Sequence, residues 1–294
     1  MNSQLTIVIP CYNEQENIPV FFPELLKRAA AESWQVIAVN DGSSDRTAET
    51  LAAFADSPGF KVINHKCNKG YGGAIKTGLF AVETEFAITI DADGQHKLED
   101  VKRCFEHIIA TDADMVVGAR TNNESGLYRS LGKQIIRLFA SSLLKLPVKD
   151  LNSGMKCYRM AETRPYLSLC PDSMAYSDVI LLLLVNDRKL VNEIPITVAP
   201  RTAGVSTIGS KTALITIAEI LNLAILLRPI TTFFRLGVLF ILIGVVWSIF
   251  TYIRSTTVTS AGIFFLIFGL LCFALGLLGE QLTQIRRALA KLKP

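Results

Sequence analysis

The sequence predicts an α/β fold: a mostly parallel sheet with helices on both faces, followed by an interfacial helix and two transmembrane helices. In the first two thirds of the 294 residues, strand-like and helix-like segments alternate, which is typical of a parallel sheet. Half of all residues are hydrophobic, and the apolar excess lies beyond Ser210. The chain therefore divides into an α/β part and a membrane part.

The elements of the α/β part follow from runs of apolar and amphipathic residues. The predicted strands are Leu5–Ile9, Val36–Val39, Val62–Asn64, Phe86–Ile90 and Met115–Gly118. The predicted helices are Asn17–Ala31, a helix capped by Ser44 that runs to about Ala55, Gly72–Val82 and Leu98–Ala110. Asp178 is expected to cap a further helix over Val179–Val185.

Two runs beyond Ser210 are each close to the roughly 20 apolar residues that cross a bilayer. They are Phe233–Tyr252 and Ala261–Leu278, and the short polar loop between them predicts a helical hairpin. Two buried helices of a soluble core are the weaker interpretation. Thr212–Leu227 is interpreted as an interfacial helix, with a third buried helix as the alternative.

Positive charges assign the two ends of the hairpin to one side of the membrane. Arg228 and Arg235 precede the hairpin and a basic tail follows it, so the positive-inside rule places both ends in the cytoplasm, with Arg254 as a contrary charge. The predicted parts are a cytosolic α/β domain (1–208), an interfacial amphipathic helix (209–230), a transmembrane hairpin (231–280) and a basic cytoplasmic tail (281–294). We expect an integral protein of a bacterial inner membrane. The hairpin is compatible with a homo-oligomer.

Charge and cysteine usage exclude several classes of protein. The net charge of +4 is modest and no basic stripe is interleaved with aromatics, so a nucleic-acid partner is not expected. The six cysteines are scattered without zinc spacing, which indicates thiols in a reducing compartment. The N-terminal apolar run is too short for a signal peptide.

Two carboxylates separated by one residue follow the fourth predicted strand. Asp91 and Asp93 stand at its carboxyl end, where open α/β sheets bind ligands. Hard oxygen ligands suit Mg²⁺ or Mn²⁺, which are commonly held by one or two carboxylates together with substrate phosphates. The pair therefore predicts a metal–diphosphate site, with a polar turn as the alternative.

Three other polar segments are expected at the same edge of the sheet. Pro10–Glu14 follows the first strand, and Asp41–Asp45 follows the second. Asn68–Ala74 leads into a helix, and its glycines would let backbone amides approach a phosphate while Lys69 adds charge. Together these segments indicate a nucleotide pocket.

The order of these motifs resembles glycosyltransferase family 2. The motifs are Pro10-x-Tyr12-Asn13-Glu14, Asp41-Gly42-Ser43-x-Asp45-x-Thr47, Asn68-x-Gly70-x-Gly72-x-Ala74, Asp91-x-Asp93-x-Gln95-His96, Gly118-Ala119-Arg120, Asp150-Leu-Asn-Ser153-Gly154 and Arg201-x-x-Gly204-x-Ser206. Within the family, the chain is most similar to polyprenyl-phosphate sugar transferases of the dolichyl-phosphate mannose synthase and bactoprenol glucosyltransferase type.

The resemblance implies a GT-A fold and inverting transfer of a hexose-type sugar from a UDP- or GDP-sugar to a polyprenyl phosphate. The implied donor-binding residues are Pro10, Tyr12, Glu14, Asp41, Lys69, Gly70, Asp91 and Arg120. The implied metal ligands are Asp91, Asp93 and Gln95. The residues implied to bind the acceptor phosphate are Arg129, Arg201 and Ser206. The implied catalytic residues are Asp150, Asp93 and Arg201.

The chemistry leaves some roles open. A phosphate monoester is largely dianionic at pH 7 and already nucleophilic, so Asp150 either orients groups or accepts a residual proton. The sugar, the base and the choice between Mg²⁺ and Mn²⁺ stay open. Two alternatives compete: a processive polysaccharide synthase, disfavoured because Leu138 follows Gln134-Ile-Ile-Arg137, and a non-catalytic scaffold, which would need neither Asp91 nor Asp93.

Overall fold

The computed structural model describes residues 4–121, 147–198, 229–257 and 259–292. The chain forms two compact units, Met1–Ser210 and Lys211–Pro294. The predicted interfacial helix over Thr212–Leu227 lies outside the described residues.

The first unit contains a seven-stranded sheet in the part of the chain that the structure describes. Its strands are β1 (Leu5–Cys11), β2 (Gln35–Asn40), β3 (Phe60–Asn64), β4 (Phe86–Thr89), β5 (Met115–Arg120), β6 (Lys156–Arg159) and β7 (Val191–Ile196). Its helices are α1 (Ile18–Glu32), α2 (Thr47–Ala52), α3 (Tyr71–Phe80), α4 (Leu98–Thr111), α5 (Met160–Leu167) and α6 (Tyr176–Asn186).

The strand order is β3-β2-β1-β4-β6-β5-β7. The first four strands in this order pair in parallel, and β5 pairs in parallel with β7. Strand β6 runs antiparallel to both of its neighbours. The mostly parallel sheet is therefore confirmed, with one reversed strand that the alternation of elements did not predict.

The residues of β1 show how the sheet is covered on both faces. Leu5, Ile7 and Ile9 alternate along the strand and belong to one buried cluster with the inward residues of α1 and α4. On the opposite face, Gly78 of α3 lies so close to Val8 that a side chain at position 78 would overlap it. The apolar residues of β1 thus contribute to two layers, one on each face of the sheet.

Two helix starts differ from the sequence prediction. Ser44 does not cap α2, which begins at Thr47 after Arg46, because the carboxylate of Asp45 instead accepts a hydrogen bond from the Thr47 amide at 3.0 Å. Asp178 is not an N-cap either. It lies buried in the first turn of α6, whose N-cap position is Ala175.

The second unit consists of two long apolar helices, α7 (Pro229–Ser255) and α8 (Ser260–Leu292). Both are long and apolar enough to cross a membrane, with mean hydropathies of 2.4 and 2.7 over their most apolar stretches. Glycines let the helices approach closely: a Cβ at Gly237 would lie 2.9 Å from the carbonyl oxygen of Gly269. The paired apolar helices agree with the predicted hairpin.

Candidate active site

The loops after β1 and β2 are held together by hydrogen bonds between side chains and backbone. The Glu14 amide donates to Oγ1 of Thr47 at 2.8 Å, and the Gln15 amide donates to Oδ2 of Asp45 at 3.2 Å. Oδ1 of Asn13, a residue with φ of 56°, accepts from the Ser44 amide at 2.9 Å. These motif residues thus build a rigid wall beside the carboxyl ends of the two strands.

Asp41 is buried behind this wall and its carboxylate is bonded on both oxygens. Nδ1 of His65 lies 2.6 Å from Oδ1, and the amides of Lys69 and Gly70 donate to the two oxygens at 2.9 and 2.8 Å. Nε2 of His65 contacts Oγ1 of Thr77 in α3 at 2.9 Å. The network therefore fixes the turn after β3 to the end of β2.

Asp91 follows β4 and is held by two neighbouring side chains. The Tyr71 hydroxyl donates to Oδ1 at 3.1 Å, and Nε2 of His96 lies 3.4 Å from Oδ2. Burial alone would raise the pKa of Asp91, but the hydrogen bonds from His96 and Tyr71 and the charge of Arg120 outweigh it, so the pKa lies below its ordinary value. Asp91 is thus a carboxylate at neutral pH, with its side chain 38% exposed.

A cleft of about 380 Å³ opens between these segments. Its lining residues in the described part of the chain are Pro10, Cys11, Tyr12, Glu14, Asp41, Asn68, Tyr71, Ala74, Asp91, Ala92, Asp93 and Met174. Exposed Tyr12 supplies an aromatic ring, and Asp91 and Asp93 supply two carboxylates. A cavity of this size and lining suits a nucleotide.

The carboxylates of the cleft could share a divalent cation with a substrate. In the described residues, no group of three or more His, Cys, Asp or Glu side chains could hold a metal on its own. Asp91 and Asp93 nevertheless both line the cleft. The backbone N–H of Gln95 donates a 3.1 Å hydrogen bond to Oδ1 of Asp93. Two carboxylates fit a hard cation that takes its other oxygens from a diphosphate and water.

Asp150 forms a two-point ion pair with Arg120. Nε and Nη2 of Arg120 donate to the two carboxylate oxygens at 2.7 and 2.8 Å, and the Arg120 amide adds a 3.2 Å bond. Burial would raise the pKa of Asp150, but the hydrogen bonds and charge of Arg120 lower it below its ordinary value. Neither residue is among those that line the cleft.

Residues 150–154, here called the acidic loop, connect Asp150 to the Asp91 carboxylate. A Cβ at Gly154 would lie 2.5 Å from Oδ2 of Asp91, so the loop backbone passes directly against that side chain. Oγ of Ser153 donates to the Gly118 carbonyl at 2.6 Å, and Oγ1 of Thr89 donates to the Gly154 carbonyl at 2.8 Å. The loop is therefore fastened to β4 and β5.

The glycine-rich turn before α3 packs closely against the backbone of Asp172 and Ser173. A Cβ at Gly70 would lie 2.5 Å from the Asp172 carbonyl oxygen, and one at Gly72 would lie 2.7 Å from that of Ser173. The Gly73 amide donates to Asp172 and the Gly70 amide donates to Asp41. The backbone amides of Gly70 and Gly73 thus donate hydrogen bonds within the protein. The glycines leave space for the backbone of residues 170–174, and these two amides do not form the open phosphate-binding turn that the sequence predicted.

The predicted site residues fall into three groups. Those that line one cleft are Pro10, Tyr12, Glu14, Asp41, Asp91 and Asp93. Those that lie near it without lining it are Lys69, Gly70, Gln95, Arg120 and Asp150. Arg129, Arg201 and Ser206 lie outside the described residues, and their assignment to the acceptor phosphate stays a prediction.

Three site residues were missed by the sequence analysis: His65, Tyr71 and Lys156. His65 and Tyr71 support the carboxylates of Asp41 and Asp91, and Lys156 is buried beneath the acidic loop. Tyr71 stands inside a motif but at one of its variable positions. Lys156 gave no signal in the sequence, because it begins the short segment Lys-Cys-Tyr-Arg, where a lysine is ordinarily expected to be solvated.

Comparisons with known families agree with this architecture. The model of Glycosyl transferase family 2 matches residues 6–162, which is about half of the chain and includes β1 to β6. The model described as GtrB C-terminal hairpin matches residues 228–285, which cover α7 and most of α8.

Two curated relatives have the same name. An undecaprenyl-phosphate 4-deoxy-4-formamido-L-arabinose transferase from Pectobacterium carotovorum is 33% identical over 53% of this chain and 48% of its own length. The chain thus spans about half the length of this relative. A protein of the same name from Edwardsiella ictaluri is 27% identical over 96% of this chain and 89% of its own length.

Solved structures share the fold. Glucosyl-3-phosphoglycerate synthase from Mycobacterium tuberculosis, in complex with Mn²⁺, uridine diphosphate and phosphoglyceric acid, superposes with a TM-score of 0.56 at 16% identity, covering 75% of this chain and 78% of that one. The same enzyme with phosphoglyceric acid gives a TM-score of 0.58. At this identity the likeness concerns the GT-A fold alone, which the sequence analysis expected.

Proposed function

Because the chain belongs to glycosyl transferase family 2, we propose that it transfers a sugar from a nucleoside diphosphate to a polyprenyl phosphate at a membrane. The observation that carries the proposal is the placement of Asp91 and Asp93 together in one cleft with Tyr12 and the buried Asp41. An aromatic ring can stack on a base, and two carboxylates can hold a divalent cation that in turn binds the diphosphate of a nucleoside diphosphate.

Asp91 and Asp93 are the residues that would hold Mg²⁺ or Mn²⁺ on the donor diphosphate. A bound divalent cation supplies charge stabilisation for the departing nucleoside diphosphate. The chain's own contribution is to keep Asp91 ionised and to hold both acids in place. Tyr71 and His96 hold Asp91, and the Gln95 amide holds Asp93.

The acceptor side of the proposal rests on charge and on Asp150. A phosphate acceptor arrives largely dianionic, so its attack on the sugar needs little base catalysis. Asp150, held by Arg120 with its pKa lowered, is a poor proton acceptor. We therefore assign Asp150 an orienting role, with inversion at the sugar carbon as the expected stereochemistry.

The lipid nature of the acceptor is supported by the two apolar helices and by the names of the relatives. Helices α7 and α8 are long enough to hold the chain in a membrane where a polyprenyl phosphate resides. The relatives are named for transfer to undecaprenyl phosphate. Their sugar is a pentose derivative, so the expected hexose donor has to be compared directly with an aminoarabinose donor.

The decisive experiment uses the full chain in membranes or mild detergent. The protein is incubated with undecaprenyl phosphate, Mg²⁺ or Mn²⁺, and a panel of UDP- and GDP-sugars that includes glucose, mannose, N-acetylhexosamine and aminoarabinose forms. Mass spectrometry of the lipid fraction identifies the product. Each donor is supplied in a separate reaction. We expect one of them to yield a glycolipid, and its mass confirms that the sugar was transferred to the lipid phosphate.

Variants test whether the carboxylates carry the reaction. Asp91→Asn and Asp93→Asn should each lower kcat/KM by about 10²-fold or more, because each removes a carboxylate that would hold the divalent cation on the diphosphate. Asp56→Asn changes an exposed carboxylate and should leave transfer unchanged. Loss of metal-dependent nucleotide binding in calorimetry should accompany the first two variants. No glycolipid from any donor, or full activity of the double variant, would contradict the proposal.

A further inference from the structure

Lys156 is a fully buried cation that the proposed reaction does not yet use. It begins β6 and has 0% exposure. Its ammonium donates to the carbonyl oxygens of Leu151 at 3.0 Å and Ser153 at 2.6 Å. Burial lowers the pKa of Lys156 to about 8, against the opposing charges of Asp178 and Asp150. A buried charge of this kind is costly unless it is hydrogen-bonded and compensated, as this one is.

Both carbonyl acceptors belong to the acidic loop, residues 150–154. At one end of this loop, Asp150 is held by Arg120 through two hydrogen bonds. At the other end, Gly154 lies directly against the carboxylate of Asp91. The ammonium of Lys156 therefore sits beneath the short segment that joins the predicted reacting centre to the predicted metal ligand.

The charges around Lys156 indicate why a cation is needed there. Asp178, Asp150 and Asp91 each act on it electrostatically and favour its charged form. Arg120 opposes the charge of Lys156 and already compensates Asp150, so a neutral side chain of similar length would chiefly remove the positive charge that acts on Asp178. It would also leave two buried carbonyl groups without their donor, which costs free energy.

We propose that Lys156 is a positioning residue for sugar transfer, which fixes the distance between Asp150 and Asp91 by holding the acidic loop from below. It makes no contact with the substrates in this assignment, and the proposal rests on the proposed function. Small displacements of a reacting group are expensive: about 1 Å of misplacement costs on the order of 10²-fold in rate.

The test compares Lys156→Met with Lys61→Met in the full chain. Lys61 is a strand lysine on β3 with an exposed side chain, so its replacement removes a charge without disturbing a buried network. For Lys156→Met we expect kcat to fall by about 10²-fold while KM for the donor stays within about 3-fold, because the wall formed by the β1 and β2 loops is untouched. Lys61→Met should match the wild type.

A second readout needs no substrate. Hydrogen exchange of amides 150–155 should accelerate by about 10-fold or more in Lys156→Met, and exchange in β1 and β2 should not change. Unchanged exchange in the loop, or a fall in kcat/KM that comes from KM alone, would overturn the proposal. If Lys156→Met fails to fold, Lys156→Gln replaces it: it removes the charge but keeps an N–H donor, and it should show the same kinetic pattern in weaker form.

Failure of this proposal is distinguishable from failure of the proposed function. If the wild-type chain makes no glycolipid, the proposed function is wrong, and the role of Lys156 in transfer is wrong with it. If the wild type is active and Lys156→Met retains its kcat, the positioning role alone is wrong.

Discussion

At the residue scale, the central question is what Asp150 does. Its carboxylate receives two side-chain hydrogen bonds from Arg120 and one from the Arg120 amide. Each bond stabilises the ionised form, and a carboxylate with a lowered pKa is a weak base. An orienting role therefore follows from the geometry more directly than proton abstraction does.

Replacing Asp150 separates the two roles. Asp150→Asn keeps the size of the side chain and removes its charge, so an orienting carboxylate predicts a fall in kcat of about 10²-fold at every pH. The pH–rate profile between pH 6 and 9 checks this, with donor binding by calorimetry as the control that the cleft is intact. Recovery of full activity at high pH would instead show that Asp150 acts as a base.

The ion pair between Arg120 and Asp150 makes the free energy of unfolding depend on pH in the acidic range. The pKa of Asp150 is lower in the folded protein than in the unfolded chain, so its stabilising contribution is fully present above about pH 4 and is lost as the pH falls below the folded value. Arg120→Gln removes most of that contribution. We expect its stability deficit in urea denaturation to be largest near pH 7 and to shrink below about pH 4.

A matched variant isolates this effect. Arg46→Gln breaks an exposed pair with Glu49 and should leave the denaturation midpoint nearly unchanged at every pH. A deficit of Arg120→Gln that did not vary with pH would show that packing, rather than the charge of Asp150, accounts for the loss.

The sequence identified the carboxylates Asp91 and Asp93, but it did not identify the side chains that hold the carboxylates of the site by hydrogen bonds. Asp91 and Asp93 stood out because two carboxylates end an apolar run, and the structure places both in the cleft. His65 did not stand out, because its partner Asp41 lies 24 positions away in the sequence. A support of this kind becomes visible once β2 and β3 pair and bring Asn40 beside Asn64. Long-range pairing is therefore the information that a local motif lacks.

At the element scale, the alternation of strands and helices predicted the parallel half of the sheet well. Strands β1 to β4 lie within a few residues of their predicted bounds. Strand β6 was missed because it is four residues long and follows no helix-like run. Its antiparallel pairing with β4 places Lys156 opposite Thr89, next to the site. The reversal of one short strand thus brings the acidic loop to Asp91.

Helix α3 offers a test of why its first turn is rich in glycine. A Cβ at Gly72 would lie 2.7 Å from the Ser173 carbonyl oxygen and 2.8 Å from Cβ of Tyr176, so the backbone of residues 171–173 would have to move. Gly72→Ala should destabilise the protein by about 2 kcal/mol or more, despite the better helix propensity of alanine. Thermal unfolding measures the loss.

The same variant should also affect the cleft, because the displaced segment carries Met174, which lines it. We expect weaker nucleotide binding by Gly72→Ala in calorimetry. Ala30→Ser adds one atom to the exposed face of α1 and should change neither stability nor binding appreciably. An unchanged unfolding temperature in Gly72→Ala would show that residues 170–174 do not pack against the turn.

At the scale of the whole molecule, the two units differ in the surfaces that they expose. The α/β unit buries alternate residues of each strand, whereas α7 and α8 expose large apolar side chains such as Phe264 and Leu282. Exposed apolar residues over whole helices are stable in lipid and not in water. A two-helix hairpin returns the chain to the side from which it started, so the charges that flank the hairpin decide where the catalytic unit works.

Cysteine labelling tests this topology, because the chain already contains one suitable reporter. Of its six cysteines, all in described residues, five are buried and Cys67 is exposed in the catalytic unit. Positive charges before and after the hairpin predict that Cys67 faces the cytoplasm. In intact bacterial cells a membrane-impermeant maleimide should therefore leave Cys67 unlabelled, and lysis should allow its labelling.

The opposite side is reported by the turn between α7 and α8. Thr257→Cys, made together with Cys67→Ser, places a thiol in this exposed turn and should be labelled in intact cells. Cys67→Ser alone is the control for background labelling of the buried thiols. The reverse pattern would place the catalytic unit outside the cytoplasm, away from any supply of nucleotide sugars, and would contradict the proposed function. Labelling of both positions only after lysis would show that the hairpin does not cross the membrane.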